Sequence, residues 1–303
     1  MNETLPAWIE PAVSEVLGKQ VRRIRRVKGR EGGYSSAIRR VAELADSSSA
    51  FLKIGTTPAL MRWLRHEIKM YEAVNEPFML VKLGHVDDRE GVVLILENAE
   101  QAIWPPPWTN GQIDDVLALL ERLRCVRGPE WLFWLQGPGG LVTAQAGWDL
   151  VAQDPRGFLS LGVVSRGWLE RNLEHLLALS DLRYLDGGAF VHLDVRSDNL
   201  CFVEDSVRLI DWSAARLGHP YIDQHYWATT LLGETGRRYP QMLTAGAVNH
   251  FVMLAGYYAG VADGAQATQA SEARVRRAAD AVHALLPWAC ELAHIEAPDG
   301  SIR

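Results

Sequence analysis

The run Val191-His192-Leu193-Asp194-Val195-Arg196-Ser197-Asp198-Asn199-Leu200 holds a carboxylate, a guanidinium and a carboxamide within a few residues of one another. Twelve residues after Asn199, a second carboxylate closes the apolar run Leu209-Ile210-Asp211-Trp212. Between them lies the polar turn Glu204-Asp205-Ser206, flanked by strand-like stretches at Asn199–Val203 and Val207–Ile210, so a hairpin can bring Asn199 and Asp211 together. These residue types suit phosphoryl transfer, which needs a nucleotide's γ-phosphate, a metal ion and an acceptor hydroxyl held in line. Magnesium takes hard oxygen ligands, and Asn199 with Asp211 supplies an amide oxygen and a carboxylate. Asp194 is then left to accept the proton of an acceptor hydroxyl. Singly, an Asp or Asn in a loop is a turn former. The ordered set in its strand context is what points to chemistry.

That set resembles the aminoglycoside-phosphotransferase and choline-kinase-like branch of the protein-kinase-like fold. The pattern is His-x-Asp, an Asn five residues after the Asp, and an Ile-Asp-(Phe or Trp) strand end, matched here by His192, Asp194, Asn199 and Ile210-Asp211-Trp212. The resemblance implies an α+β, bilobal architecture with a β-rich N-terminal lobe and an α-rich C-terminal lobe. It implies Mg²⁺-dependent transfer of the γ-phosphate of ATP or GTP to a small-molecule hydroxyl.

It also makes demands upstream. A lysine on the third strand should bind phosphates, and a glutamate on the next helix should orient it. Phe51-Leu52-Lys53-Ile54 supplies the lysine, and Arg65-His66-Glu67-Ile68 supplies the glutamate fourteen residues on, with Glu72 as the less favoured alternative. A charge in so apolar a strand costs free energy unless paired, which itself argues for a partner. The loop between the first two strands should cover the phosphates. Gly32, Gly33, Ser35 and Ser36 stand there, where glycine permits close backbone approach. Glu97 and Ala99 fall at the expected hinge, whose backbone meets the purine edge; the sequence leaves adenine and guanine open. Arg196 either neutralises charge at the γ-phosphate or pairs with Asp198. His192 is expected to pack beneath the catalytic loop, and Asp223, in a Pro-x-x-Asp segment, to support that loop from below.

The elements that must position these groups follow from periodicity. Strands are expected at Val21–Lys28, Ser36–Leu44, Ala50–Ile54, Val81–Val86 and Val92–Leu96, with a helix at Ala59–Val74. The lobe boundary is placed near 98–110, around Pro105-Pro106-Pro107, giving lobes of 1–98 and 99–303 joined by a short hinge. Helices are expected at Gln112–Val126, Arg166–Leu185, Ile222–Leu232, Met242–Val261 and Glu272–Leu292. The route from Asp211 to Asp223 is short and lacks an activation segment or Ala-Pro-Glu, which disfavours a protein kinase.

Composition narrows the alternatives. Hydrophobic residues at 48% and charged residues at 22% describe a globular chain. Net charge is −6, so wholesale nucleic-acid binding is not implied. The first hundred residues carry 15 basic and 14 acidic side chains; the remainder carries 16 and 23. An acidic second part is compatible with a cationic acceptor, such as an aminosugar or choline-like amine. The basic run Arg22, Arg23, Arg25, Arg26, Lys28, Arg30 reads mostly as solvated strand-face charge. Cys125, Cys201 and Cys290 are far apart, so reduced thiols and a cytoplasmic setting are expected. Tyr239–Ala262 lacks Lys, Arg, Asp and Glu but holds prolyl, amide, histidyl and glycyl residues, so a buried helix is expected there and no membrane span. Trp131 and Trp134 either pack against the second lobe or line its substrate cleft.

Overall fold

The computed structural model describes residues 5–28, 37–133, 146–262 and 272–300. In chain order the first elements are α1 (Ile9–Leu17), β1 (Val21–Arg26), β2 (Ile38–Leu44), β3 (Ser49–Gly55), α2 (Pro58–Ala73), β4 (Lys82–Asp87), β5 (Val92–Glu97) and α3 (Asn110–Cys125). They are followed by α4 (Ala146–Gln153), α5 (Arg156–Ser160), α6 (Arg166–Leu179), β6 (Ala189–Val191), β7 (Leu200–Val203) and β8 (Ser206–Leu209). The last are β9 (Arg216–Gly218), α7 (Ile222–Thr235), α8 (Ala247–Ala262) and α9 (Glu272–Leu292). The expected bilobal, protein-kinase-like α+β class is met, with a five-stranded antiparallel sheet early in the chain and helices dominating afterwards. Two compact units form, Met1–Leu119 with Arg196–Ala215, and Leu120–Val195 with Arg216–Arg303.

In the first unit the strand order is β1-β2-β3-β5-β4, antiparallel throughout. Side chains alternate across each strand. Ala42, Leu44, Leu52, Ile54, Val93 and Ile95 form one buried face with Ile9 and Val13 of α1. Lys53, between Leu52 and Ile54, is thereby sent to the opposite face. Helix α2 starts at Pro58, whose missing N–H falls where no helical partner exists, and Thr57 caps it by accepting from the Leu60 N–H. Helix α1 was not anticipated. Pro11 lies in its first turn, where proline is tolerated, and Gly18 ends it in the left-handed region at φ 61°. The β7–β8 hairpin turns through Glu204 and Asp205, both at positive φ, as a two-residue hairpin twist requires.

In the second unit α8 is buried among its neighbours, including Phe251, Val252 and Ala255 at no exposure. Trp148 of α4 donates its indole N–H to the Val252 carbonyl at 2.8 Å, and its ring occupies the space a Cβ on Gly256 would need. Phe251 meets Trp288 of α9 edge-on at 4.5 Å. Among the described residues no helix is long and apolar enough to cross a membrane. Two expected helices are shorter than their periodicity suggests. The stretch from Met242 becomes helical only at Ala247, because Gly246 sits at φ 81°. Arg166–Leu185 breaks at Ser180, since Asp181 accepts from the Arg183 N–H and caps a separate 3-10 turn, Leu182–Leu185.

Candidate active site

The first unit assembles an ion cluster from three separated segments. Lys53 of β3 is 5% exposed and Glu67 of α2 is 1% exposed. Lys53 Nζ donates to Glu67 Oε2 at 2.7 Å, as α2 follows β3 and lays its buried face on the sheet. The same Nζ lies 2.8 Å from Asp211 Oδ1. Burial alone would depress the Lys53 ammonium, but Glu67 and Asp211 outweigh it and hold it above its ordinary value. Burial pushes the Glu67 carboxyl up to about 7, with Lys53 opposing that rise. Glu72, the less favoured candidate, instead pairs with Lys82 at 2.5 Å on the surface.

The β7–β8 register pairs Leu200 with Leu209, so Asn199 and Asp211 flank the open end of one hairpin. The Ile210 N–H donates to the Asn199 carbonyl at 2.9 Å and fixes that end. Asn199 is 4% exposed. Asp211 is held at φ 65°, a left-handed conformation that is sparsely occupied outside glycine. Ser213 Oγ donates to Asp211 Oδ1 at 2.7 Å, and Trp212 packs against Phe78 with ring centroids 5.9 Å apart. Hard oxygen donors from Asn199 and Asp211 at one hairpin end, beside a buried ammonium, fit a magnesium ion carrying phosphates. Arg196, expected at the γ-phosphate or on Asp198, has its guanidinium 3.1 Å from Asp198 Oδ2.

The second unit builds the loop that carries Asp194. Asp223, in the first turn of α7, accepts from the His192 and Leu193 N–H groups, each at 2.7 Å. Those two bonds hold Leu193 at φ 65° immediately before Asp194. Burial pushes the Asp223 carboxyl up to about 6, against the pull of the two N–H groups. His192 is fully buried, and its Nδ1 accepts from the Asp194 N–H at 3.2 Å.

At the expected hinge the Glu97 carboxylate accepts from the Val81 N–H at 2.9 Å, and the Ala99 carbonyl accepts from the Trp104 indole at 3.0 Å. Gly32, Gly33, Ser35 and Ser36 lie outside the described residues, as does Trp134. Trp131 is 39% exposed.

Sequence reasoning missed Glu100. Its two oxygens accept from Arg25 Nη1 and Nη2 at 2.8 and 2.6 Å, and Oε1 also accepts from the Lys28 N–H at 2.7 Å. Hydrogen bonds from Arg25 hold its carboxyl down at about 2. Arg25 reaches Glu43 as well, at 2.6 Å, so this arginine is not a solvated strand-face charge. No local pattern marks an acid just beyond β5 as the partner of a residue seventy-five positions earlier.

Comparison with solved structures places this architecture. An aminoglycoside phosphotransferase from Alicyclobacillus acidocaldarius is 15% identical, with 97% of this chain and 98% of that chain covered at a TM-score of 0.55. A macrolide 2'-phosphotransferase from Brachybacterium faecium is 15% identical, with 89% and 96% covered at a TM-score of 0.53. The chain has the fold of these small-molecule phosphotransferases. A choline/ethanolamine kinase family protein from Mesorhizobium loti shares it at 13% identity, with 89% and 92% covered and a TM-score of 0.51. No protein-family model and no curated protein matches the sequence.

Proposed function

We propose that this chain is a small-molecule kinase, moving the γ-phosphate of ATP or GTP to a hydroxyl of an aminoglycoside-like substrate or another amine or sugar metabolite. The observation that carries the reading is the buried Lys53 ammonium shared by Glu67 and Asp211, with Asn199 at the same hairpin end. Lys53 binds the nucleotide's phosphates and Glu67 orients it. Asn199 and Asp211 hold Mg²⁺, which when bound neutralises charge on the transferring phosphate. Asp194 accepts the proton of the acceptor hydroxyl. Arg196, two residues on, neutralises charge at the γ-phosphate. Glu97 and Ala99 meet the purine through their backbone, and Gly32, Gly33, Ser35 and Ser36 cover the phosphates. The excess of acidic groups beyond residue 100 supports a cationic acceptor.

The test is a thermal melt with magnesium, adding ATP and then GTP, with Asp211→Asn alongside. A nucleotide at about a hundred times its Kd stabilises a fold by roughly 2.7 kcal/mol. The expected result is a magnesium-dependent shift lost in Asp211→Asn, followed by phosphate transfer to members of a panel of hydroxylated amines and sugars. No shift with either nucleotide would make the chain a catalytically silent ligand-binding module.

A further inference from the structure

We propose, on the reading of Asp211 as a magnesium ligand, that His66 is a positioning residue for that ligand. It ties helix α2 to the turn after Asp211, so that Glu67 and Asp211 keep their spacing when phosphates draw on Lys53. Both segments belong to the first unit. His66 Nε2 lies 3.3 Å from the Ala215 carbonyl oxygen, across 149 positions of sequence. A carbonyl can only accept, so Nε2 carries the hydrogen and the ring donates.

At the far end of this link, Asp211 enters the turn at φ 65° and Trp212–Ala214 forms a 3-10 turn. The Ala215 N–H closes that turn on the Trp212 carbonyl at 3.2 Å. Ser213 Oγ donates to Asp211 Oδ1 at 2.7 Å, so the carboxylate is fastened to the same turn. Trp212 and Ala215 are fully buried. A turn this tightly bonded and packed shifts as one piece, so a hold on the Ala215 carbonyl is also a hold on the Asp211 carboxylate. At the near end, His66 immediately precedes Glu67 on α2, a helix fixed by its Thr57 cap and by buried Leu64 and Ile68.

Helix α2 and the turn are thus bridged by the Lys53 ammonium, between Glu67 and Asp211, and by His66 on Ala215. These bridges respond differently to a nucleotide. Phosphate oxygens compete with both carboxylates for Lys53 Nζ, whereas the Ala215 carbonyl is uncharged and keeps its donor. His66 therefore holds the two acids in register in the state in which Lys53 holds them least.

Calorimetric titration of the full chain with ATP and with GTP, each with and without magnesium, tests this. The proteins are wild type, His66→Phe, which keeps a ring and loses the donor, and His66→Gln, which keeps an N–H. In His66→Phe the gain in nucleotide affinity that magnesium brings should fall about tenfold, the lower end of what outer partners of metal ligands contribute. Affinity without magnesium should stay within about twofold of wild type, and His66→Gln should recover most of the gain. A second readout needs no nucleotide: deuterium exchange across residues 211–215 should quicken about tenfold in His66→Phe and stay near wild type in His66→Gln. Equal loss of affinity with and without magnesium would make His66 a packing residue and overturn the proposal. Unchanged exchange in His66→Phe, or no recovery in His66→Gln, would do the same. Wild type binding neither nucleotide would sink the magnesium reading and this proposal with it, whereas a magnesium response left intact in His66→Phe sinks this proposal alone. Should His66→Phe not fold, His66→Asn, whose shorter amide falls short of Ala215, takes its place with the same outcomes.

Discussion

Lys53 Nζ lies 2.8 Å from Asp211 Oδ1 while it also donates to Glu67 Oε2 at 2.7 Å, so one buried ammonium serves two carboxylates from separate segments. Removing the cation leaves both acids uncompensated, and breaking a buried pair from one side costs about 3–5 kcal/mol. Lys53→Met should therefore lower unfolding free energy by about 3 kcal/mol, and adding Glu67→Gln to it should restore part of the loss. Urea denaturation of the two variants measures both. A Lys53→Met variant as stable as wild type would mean that the acids are already protonated or separately solvated.

What could be read from the sequence was what is local. His192, Asp194, Asn199 and Asp211 fall within twenty residues, and the two short apolar runs between Asn199 and Asp211 announce their hairpin. Lys53 and Glu67 were legible because a lone lysine in an apolar strand and a glutamate on the buried face of the next helix need each other. Asp223 was legible from its Pro-x-x-Asp setting. Glu100 was not, because its role depends on Arg25 crossing from β1, a pairing that only the folded sheet creates. Helix α1 was missed because it is only nine residues long and carries Pro11 in its first turn, which interrupts a short helical period. The three-residue strands β6 and β9 are too short to show any period.

Asp223 uses both oxygens on the loop that precedes Asp194. In Asp223→Asn one backbone N–H would face an amide N–H, leaving a buried donor unsatisfied at a cost of about 1–3 kcal/mol. Leu193 would then relax from its left-handed conformation. We expect kcat to fall at least about tenfold while nucleotide KM stays near wild type, since an interaction made only in the transition state lowers kcat alone. Steady-state kinetics with varied nucleotide decides it. Unchanged kcat would show that Asp223 serves packing and not the catalytic loop.

Glu100 fastens the end of β1 to the segment after β5 through three hydrogen bonds, two of them from Arg25. That strand leads into residues 29–36, proposed to cover the phosphates. Glu100→Gln cannot accept a bidentate guanidinium, and the weakened charge-assisted bonds should cost about 2 kcal/mol of stability. Nucleotide KM should rise about tenfold with kcat little changed, the signature of lost uniform binding. If KM stays within twofold of wild type, the Arg25–Glu100 pair holds the sheet together without positioning the nucleotide.

His225 and His250 form a neutral relay in the second unit whose proton positions follow from its ends. The Tyr184 carbonyl can only accept, so His250 Nε2, 2.8 Å away, carries a hydrogen and His250 Nδ1 is an acceptor. His225 Nδ1 therefore donates across 2.6 Å, and His225 Nε2 accepts from Thr244 Oγ1 at 2.8 Å. His219, edge-on to His250 at 4.8 Å, and Tyr221, beside His225, are titratable groups that also face the pair. A proton added to either ring would set two N–H groups against each other. Burial accordingly pushes His225 down to about 3 and His250 down to about 4, with the neighbouring histidines acting in the same direction on both. Their ordinary value is 6.5. Between pH 6.5 and about 4 the unfolded chain therefore binds more protons than the folded one, so stability is full above that window and falls as pH drops through it. Each histidine contributes a slope of up to about 1.4 kcal/mol per pH unit. His250→Gln keeps a donor for the Tyr184 carbonyl but does not titrate. Urea unfolding at pH 7, 6 and 5 should give the variant a shallower decline than wild type by about one such slope. Parallel declines would mean that His250 takes up its proton in the folded protein as readily as in the unfolded one.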